Sequence, residues 1–426
     1  MPGPLDGVRI LDITQIVAGP FGGLLLGDMG ADVIKIEPVW GEAQRQTMPF
    51  VPNETRNFIS LNRSKRSVPL DLTKPQGLEV FYKLVDTADA LIINARPDVP
   101  VKLGIDYETL SARNPRLIYC ENTAFGRKGP HSDRPGSDIT SQGLSGMIAA
   151  QGVVKDGIAQ HVIASPIVDH ATGITMAWGV CAALYHRERT GKGQKVDTSL
   201  IGTAMGLMTP RFVEVAPDKE RRTAFLEALT HLRERGGSFE ESLELHQNHT
   251  GHGGANYFYR CFQARDGTVI VGVLGRRIQK RLADVLGLDD PKLEPDHDPV
   301  NFDYDSDEAK ARSEELVKQA EETFLQKTVD EWVTLLDEVG VPVARVNFPE
   351  EAAEDPQVLA NGLMVEMEHP MAGRYRAAGP MIQMSETPVE AKRPSPGLGE
   401  HTDEVLEELG YSTEEIRQLK DDEVTR

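Results

Sequence analysis

The chain carries only three cysteines, Cys120, Cys181 and Cys261, in 426 residues. None forms a C-x-x-C pair or a Cys/His spacing suited to zinc, so no disulfide framework and no metal centre is expected. Each lies in an apolar or strand-like stretch, which predicts buried, inert thiols. A basic surface is missing too: 46 lysines and arginines face 66 aspartates and glutamates, a formal net charge of −20. Nucleic acid and anionic membranes both demand a basic footprint, so neither is an expected partner. The start, MPGPLDGVRILDIT, has neither the charged nor the apolar region of a signal peptide. No apolar run reaches membrane-spanning length without a charge. A cytoplasmic, reduced protein is the expectation. Also missing are GxxxxGK[ST], GxSxG and HExxH.

What is present is an alternation of strands and helices. VRILDIT reads as a strand, GPFGGLLLGDMG as a helix closed by Gly30, and ADVIKIE as a second strand. A crossover that short implies parallel strands. The pattern repeats through SVPLDL, a helix opening at Pro75, ADALIINA, DYETLSARNP and RLIYCENTAF, and then through a long apolar helix over 170–191 and QKVDTSL. The fold class is therefore α/β, with a doubly wound parallel sheet. At 426 residues two or three domains are expected. The composition changes after about residue 210, and 225–330 reads as a smaller α+β domain with a hairpin over 257–273. Residues 363–385 return to strand and turn, followed by an acidic helical tail.

The glycines of the first helix fall at 19, 22, 23, 27 and 30. They make no G-x-G-x-x-G, and Pro20 interrupts the turn, so they predict close helix packing and not a dinucleotide site. A sharper signal is SPIVDHATG, residues 165–173, where Asp169 opens an otherwise apolar stretch. A carboxylate there must be paired, hydrogen-bonded or used. The plainest reading is a helix N-cap, with Thr172 in the first turn.

Several strings in order then carry a resemblance: PLDGVRILDIT, VAGPFGGLLLGDMGADVIKIEP, NRSKRSVPLDLTKPQG, ADALIINARP, NPRLIY, FGRKGP, DHATG, RTGKGQKVD and GEHTDEVLEELG. Together the sequence resembles the class III CoA-transferases, a family that includes formyl-CoA:oxalate and carnitine-type transferases and the related α-methylacyl-CoA racemases. The resemblance implies an interlocked homodimer with a Rossmann-like large domain. Residues 1–200 and 351–426 would build that CoA-binding domain, with linkers at 201–224 and 331–350 around the small domain. It implies coenzyme A, carried as a thioester, with an acyl-CoA donor and a carboxylic acid acceptor. Asp169 would be the nucleophile, forming an aspartyl anhydride and then an aspartyl-CoA thioester. Gly253 and Gly254 would belong to a glycine-rich flap over the intermediate. Gln15, Val17 and Ala18 would contact substrate. Leu72, Lys74, Asn94, Ala95, Arg96 and Lys102 would line CoA, and Asp138 fits the transferase pattern.

Departures from the family pattern narrow the reading. Val17 stands where formyl-CoA-type proteins carry Gln, which puts oxalate and formate in doubt. Pro38 replaces a common Arg, Ala95 an aromatic and Asp98 a Gly. Arg45, Arg56 and Arg63 are candidates for grasping a second carboxylate, which would suit succinyl-CoA. Ser137 replaces the racemase His, although His170 beside Asp169 keeps a 2-methylacyl-CoA racemase as the alternative. A subunit of a heteromeric transferase is the third reading.

Overall fold

A computed structural model describes residues 1–250, 256–298, 301–304 and 306–426. Six short strands pair as one sheet: β1 (Arg9–Ile13), β2 (Asp32–Glu37), β3 (Lys65–Pro69), β4 (Ala90–Ile93), β5 (Ile118–Thr123) and β6 (Lys195–Ser199). Their order is β3-β2-β1-β4-β5-β6 and every pairing is parallel. Leu11 of β1 lies between Ile34 of β2 and Leu91 of β4. Strands apolar on both sides need a cover on both faces, and three helices matter here: α1 (Ala18–Asp28), α2 (Asp138–Leu144) and α3 (Ile167–Thr190).

Alternate residues of each strand serve opposite faces. Leu11, Ile34 and Leu91 pack with Phe81 and Leu84 of the helix Pro75–Thr87 and with Val405, Leu406 and Leu419 from the end of the chain. Ile10, Val33 and Ile92 pack with Leu26 of α1 and Met176, Val180 and Leu184 of α3. Burial of this kind contributes roughly 1.5–3 kcal/mol per large apolar side chain. Helix α3 is long and apolar enough to cross a membrane by composition, but it lays one side on the sheet. It ends as its sequence predicts, with Arg187 and Arg189 in the last turn and Gly191 in the left-handed region at φ 73°.

The chain divides into two compact units, residues 1–213 with 356–426, and residues 214–355. In the second unit Thr268–Gly272 is the central antiparallel strand, flanked by Tyr259–Gln263 and Val343–Arg345. Phe262, Val269, Leu282, Leu316, Phe324 and Trp332 form its core. The predicted linker at 331–350 instead completes a helix, Val329–Glu338, and supplies that edge strand. Val329, Trp332 and Leu336 are a buried stripe at helical spacing, which the charged neighbours hide in the sequence. The predicted linker at 201–224 likewise ends the helix Leu200–Gly206 and begins the helix Lys219–Glu234.

Of the three thiols, Cys120 is buried, Cys181 half-buried and Cys261 exposed. The expectation of three buried thiols fails at Cys261 because strand alternation turns Phe262 to the core and Cys261 outward. Burial pushes the Cys120 thiol up to about 12.

Candidate active site

The strand order reverses between β1 and β4, and in doubly wound sheets ligands bind beyond the carboxyl ends of strands at that point. Gln15 follows β1 and Asn94 follows β4. The two are locked together: Asn94 Oδ1 accepts the Gln15 N–H at 2.9 Å and Asn94 Nδ2 donates to the Gln15 carbonyl at 2.8 Å. Asp12 Oδ1 accepts the Thr14 N–H at 2.9 Å, and Lys35 Nζ donates to the Thr14 carbonyl at 2.9 Å. Glu42 Oε2 accepts the Ile16 N–H at 2.8 Å. Three strands and a loop thus fix the backbone from Thr14 to Ile16.

That fixation holds a strained residue. Ile16 has φ 74° and is the sole β-branched residue at positive φ among the described residues. Such a conformation costs about 1–3 kcal/mol and survives only when its surroundings determine it. Gln15 and Ile16 are the exposed side chains of the loop. Val17 and Ala18, expected to contact substrate, turn their side chains inward, and Ala18 packs with Val168 and Leu200.

The loop leads into α1, which crosses α3 at close range. A Cβ on Gly173 would lie 2.6 Å from the Ala18 carbonyl oxygen and 3.0 Å from the Gly22 nitrogen. The glycine one turn after Asp169 is therefore what lets the start of α3 meet the start of α1. Gly19 meets Thr14, Gly23 meets Asp12 and Lys65, and Gly27 meets Ser64, so this glycine series serves packing.

Asp169 sits in the first turn of α3 without capping it. The capping carboxylate is Asp138, the first residue of α2. Its Oδ1 accepts the N–H groups of Val168 at 2.8 Å and Asp169 at 3.1 Å. Gln142 Nε2 donates to Asp138 Oδ2 at 2.5 Å, while Gln142 Oε1 accepts the Val162 N–H at 3.0 Å. Among the described residues no donor reaches the Asp169 carboxylate. Burial, and then the charge of Asp138, push Asp169 up to about 7. His170 Nδ1 lies 2.9 Å from the Pro166 carbonyl, and its ring meets Phe21 edge-on.

The expected CoA residues divide. Asn94 joins the Gln15 loop. Arg96 and Lys102 are exposed, with Asp98 at 3.7 Å and 2.7 Å respectively. Ala95 is half-buried, as is Leu72, and both pack at the border of the sheet core. Leu72 and Lys74 follow β3, two places from β1 in the sheet, and Lys74 Nζ donates to the Asp422 and Glu423 carbonyls at 2.8 Å and 3.1 Å. Gly253 and Gly254 lie outside the described residues. Two of the three arginines proposed for a second carboxylate are already committed. Arg45 is fully buried on Glu37 and Glu54, and Arg63 is buried on Asp28; Arg56 alone of the three is exposed.

The sequence reading passed over Lys35 and Glu42, although the signal that flagged Asp169 was available. Lys35 is a charge inside the apolar strand ADVIKIE, and such a charge needs a partner. Its partner, Glu42, stands at 3.0 Å, and both side chains are almost fully buried.

A doubly wound sheet with an unbonded carboxylate held at a helix start beside the switch point describes an α/β enzyme. The chain belongs to CoA-transferase family III, whose model matches residues 5–402, and it is an enzyme of the CoA-transferase type. It is 30% identical over 428 residues to a succinyl-CoA:glutarate CoA-transferase from Homo sapiens, covering 98% of this chain and 88% of that one. It is 32% identical over 423 residues to a formyl-CoA:oxalate CoA-transferase from Rhodopseudomonas palustris, covering 98% and 96%. Among solved structures, a CaiB/BaiF family protein from Brucella suis superposes with a TM-score of 0.72 at 28% identity, covering 96% of this chain and 100% of that one.

Proposed function

We propose that the chain moves CoA from an acyl-CoA donor of the succinyl-CoA type to a free carboxylic acid, with Asp169 as nucleophile. The observation that carries this reading is the Asp169 carboxylate, half-buried and, among the described residues, unbonded in the first turn of α3. A carboxylate stripped of water is a better nucleophile than a hydrated one. It attacks the thioester carbonyl, the C–S bond breaks, and the CoA thiolate leaves from a mixed anhydride. The thiolate then attacks the aspartyl carbonyl and releases the donor acid as its carboxylate. An aspartyl-CoA thioester remains. The acceptor carboxylate repeats both steps in reverse, so the thioester is conserved and Asp169 is regenerated.

The supporting residues have separate tasks in this reading. Asp138 and Gln142 hold the start of α3, and Gln15 and Ile16 face the acyl group. Arg96 and Lys102 take the CoA side, with Leu72, Lys74 and Ala95 further out, and Asn94 ties that segment to the Gln15 loop. For Gly253 and Gly254 a part in covering the anhydride rests on the family resemblance alone. The substrate class follows the names of the relatives, and exposed Arg56 remains for a second carboxylate. An interlocked homodimer is part of the same reading. What supports it is an exposed apolar stripe on α3, Ile167, Ile174, Trp178 and Tyr185.

The test is mass spectrometry after incubation with a panel of acyl-CoAs and hydroxylamine. A hydroxamate on Asp169 is expected, and the productive donor identifies the acid class. An unmodified Asp169 with every donor would end the nucleophile assignment.

A further inference from the structure

Beneath the exposed loop runs a buried ion pair whose two members grip opposite sides of one residue. Lys35 Nζ donates to the Thr14 carbonyl and Glu42 Oε2 accepts the Ile16 N–H, so the pair brackets Gln15. The Lys35–Glu42 separation is 3.0 Å, and the two side chains are 0% and 1% exposed. An ion pair this deep is no strong source of stability, because desolvation offsets much of the attraction. What it holds is specific: a β-branched residue at φ 74°, a backbone state that relaxes once released.

We infer that the Lys35–Glu42 pair is a positioning device, which keeps Ile16 in the left-handed conformation and so fixes what Gln15 and Ile16 present to the acyl group. It acts on turnover and on the choice of acid, and leaves the affinity for the CoA thioester alone. The inference rests on the reading that this loop faces substrate. The separation of tasks follows from what is held: the clamp grips residues 14 and 16, while Arg96 and Lys102 are exposed side chains on the segment after β4, which is joined to the loop through Asn94. Burial alone would lower the Lys35 ammonium, but Glu42, Asp12 and Glu37 together hold it above its ordinary range. The Lys35 half of the clamp therefore stays charged through the neutral range.

Glycine takes positive φ at no steric cost, so a loop carrying Ile16→Gly needs no clamp. That makes a kinetic cycle possible. Glu42→Ala removes the grip and Glu42→Gln weakens it, each measured with Ile16 and with Ile16→Gly. Succinyl-CoA and glutarate are the first probes, replaced by the fastest pair from the hydroxylamine panel where that differs. In the Ile16 background Glu42→Ala is expected to lower kcat about 30-fold, and Glu42→Gln less, with the KM for the acyl-CoA within about twofold. In the Ile16→Gly background the same substitutions are expected to cost less than about threefold. Glu42→Gln keeps the volume and leaves Lys35 facing Asp12 and Glu37, so it carries the test where Glu42→Ala does not fold. Equal losses in both backgrounds, or a KM for the acyl-CoA that rises in step, would overturn the inference. The two readings fail separately: a missing Asp169 hydroxamate in the native protein removes the nucleophile, whereas a normal hydroxamate with an additive cycle removes only the clamp.

Discussion

The two segments that leave the switch point of the sheet are built in opposite ways. From Thr14 to Ile16 the backbone is bound by Asp12, Lys35, Asn94 and Glu42, and a strained conformation is kept. From Arg96 to Lys102 the charged side chains stand in solvent, and their contacts are with one exposed neighbour, Asp98. The first arrangement suits bond-making, where a displacement of about 1 Å costs up to a hundredfold in rate. The second suits a long, flexible, multiply charged ligand, whose phosphates need charge nearby more than they need fixed geometry. On the proposed reading, rigidity falls where atoms would react and loose charge where the CoA handle would be held.

The comparison breaks most visibly at Asp169. Asp169→Asn should lower turnover by at least about a thousandfold while acyl-CoA binding, read by titration calorimetry, stays within about threefold. It should also stabilise the fold above neutral pH. The folded carboxyl titrates at about 7 against an ordinary 3.8, so its ionisation disfavours the folded state. That cost is absent below pH 4, grows between the two values and is complete above 7. With the partial exposure of the group allowed for, Asn should raise stability by about 2 kcal/mol at pH 8 and by nothing near pH 4, as read from denaturant melts. A variant that loses turnover and stability together would mean that Asp169 holds the helix start instead of acting from it.

Asp138 sharpens the rigid side. With Asp169 as the proposed nucleophile, native kcat/KM should be flat above pH 7 and fall about tenfold per unit below it, because attack needs the ionised carboxylate. Asp138→Asn removes the charge that helps raise Asp169, so the acid limb should move to lower pH. It also leaves the Gln142 amide facing another amide where it now donates to a carboxylate. Turnover at pH 8 should therefore drop about tenfold. A limb that stays in place would assign the titration to another group.

Much of the large unit was legible because parallel strands buried on both faces write continuous apolar runs, as ADALIINA does, and short crossovers fix their direction. The small unit was less legible. Its helix Val329–Glu338 carries its buried stripe among acidic neighbours, so composition hid what spacing contained. In the site, Asp169 was visible as a charge in an apolar run, yet its surroundings were not. The carboxylate that caps α3 comes from Asp138, and a cap supplied from 30 residues away leaves no local pattern. The strain at Ile16 has no signature at all, since isoleucine is the residue least expected at positive φ. Arg45 and Arg63 misled for a related reason: sequence shows that a charge exists, while only packing shows that Glu37, Glu54 and Asp28 have already taken it.

The smallest expected effect lies on the loose side and has two signs. Lys102→Ala should raise the KM for the acyl-CoA about threefold, leave kcat unchanged, and lose its effect as salt rises, because an exposed charge contributes roughly 1 kcal/mol or less. Asp98 should act in the opposite direction. Its carboxyl, held below the ordinary range first by the hydrogen bond from Lys102 and then by the charges of Lys102 and Arg96, competes with any phosphate for those two cations. Asp98→Asn removes the competitor while keeping a residue of similar size at the first position of the helix Asp98–Leu103. The KM for the acyl-CoA should then fall about twofold to threefold at low salt, and the gain should vanish in the Lys102→Ala background. A rise in KM instead would mean that Asp98 orders the two cations for the ligand, and the segment after β4 would be as preorganised as the loop after β1.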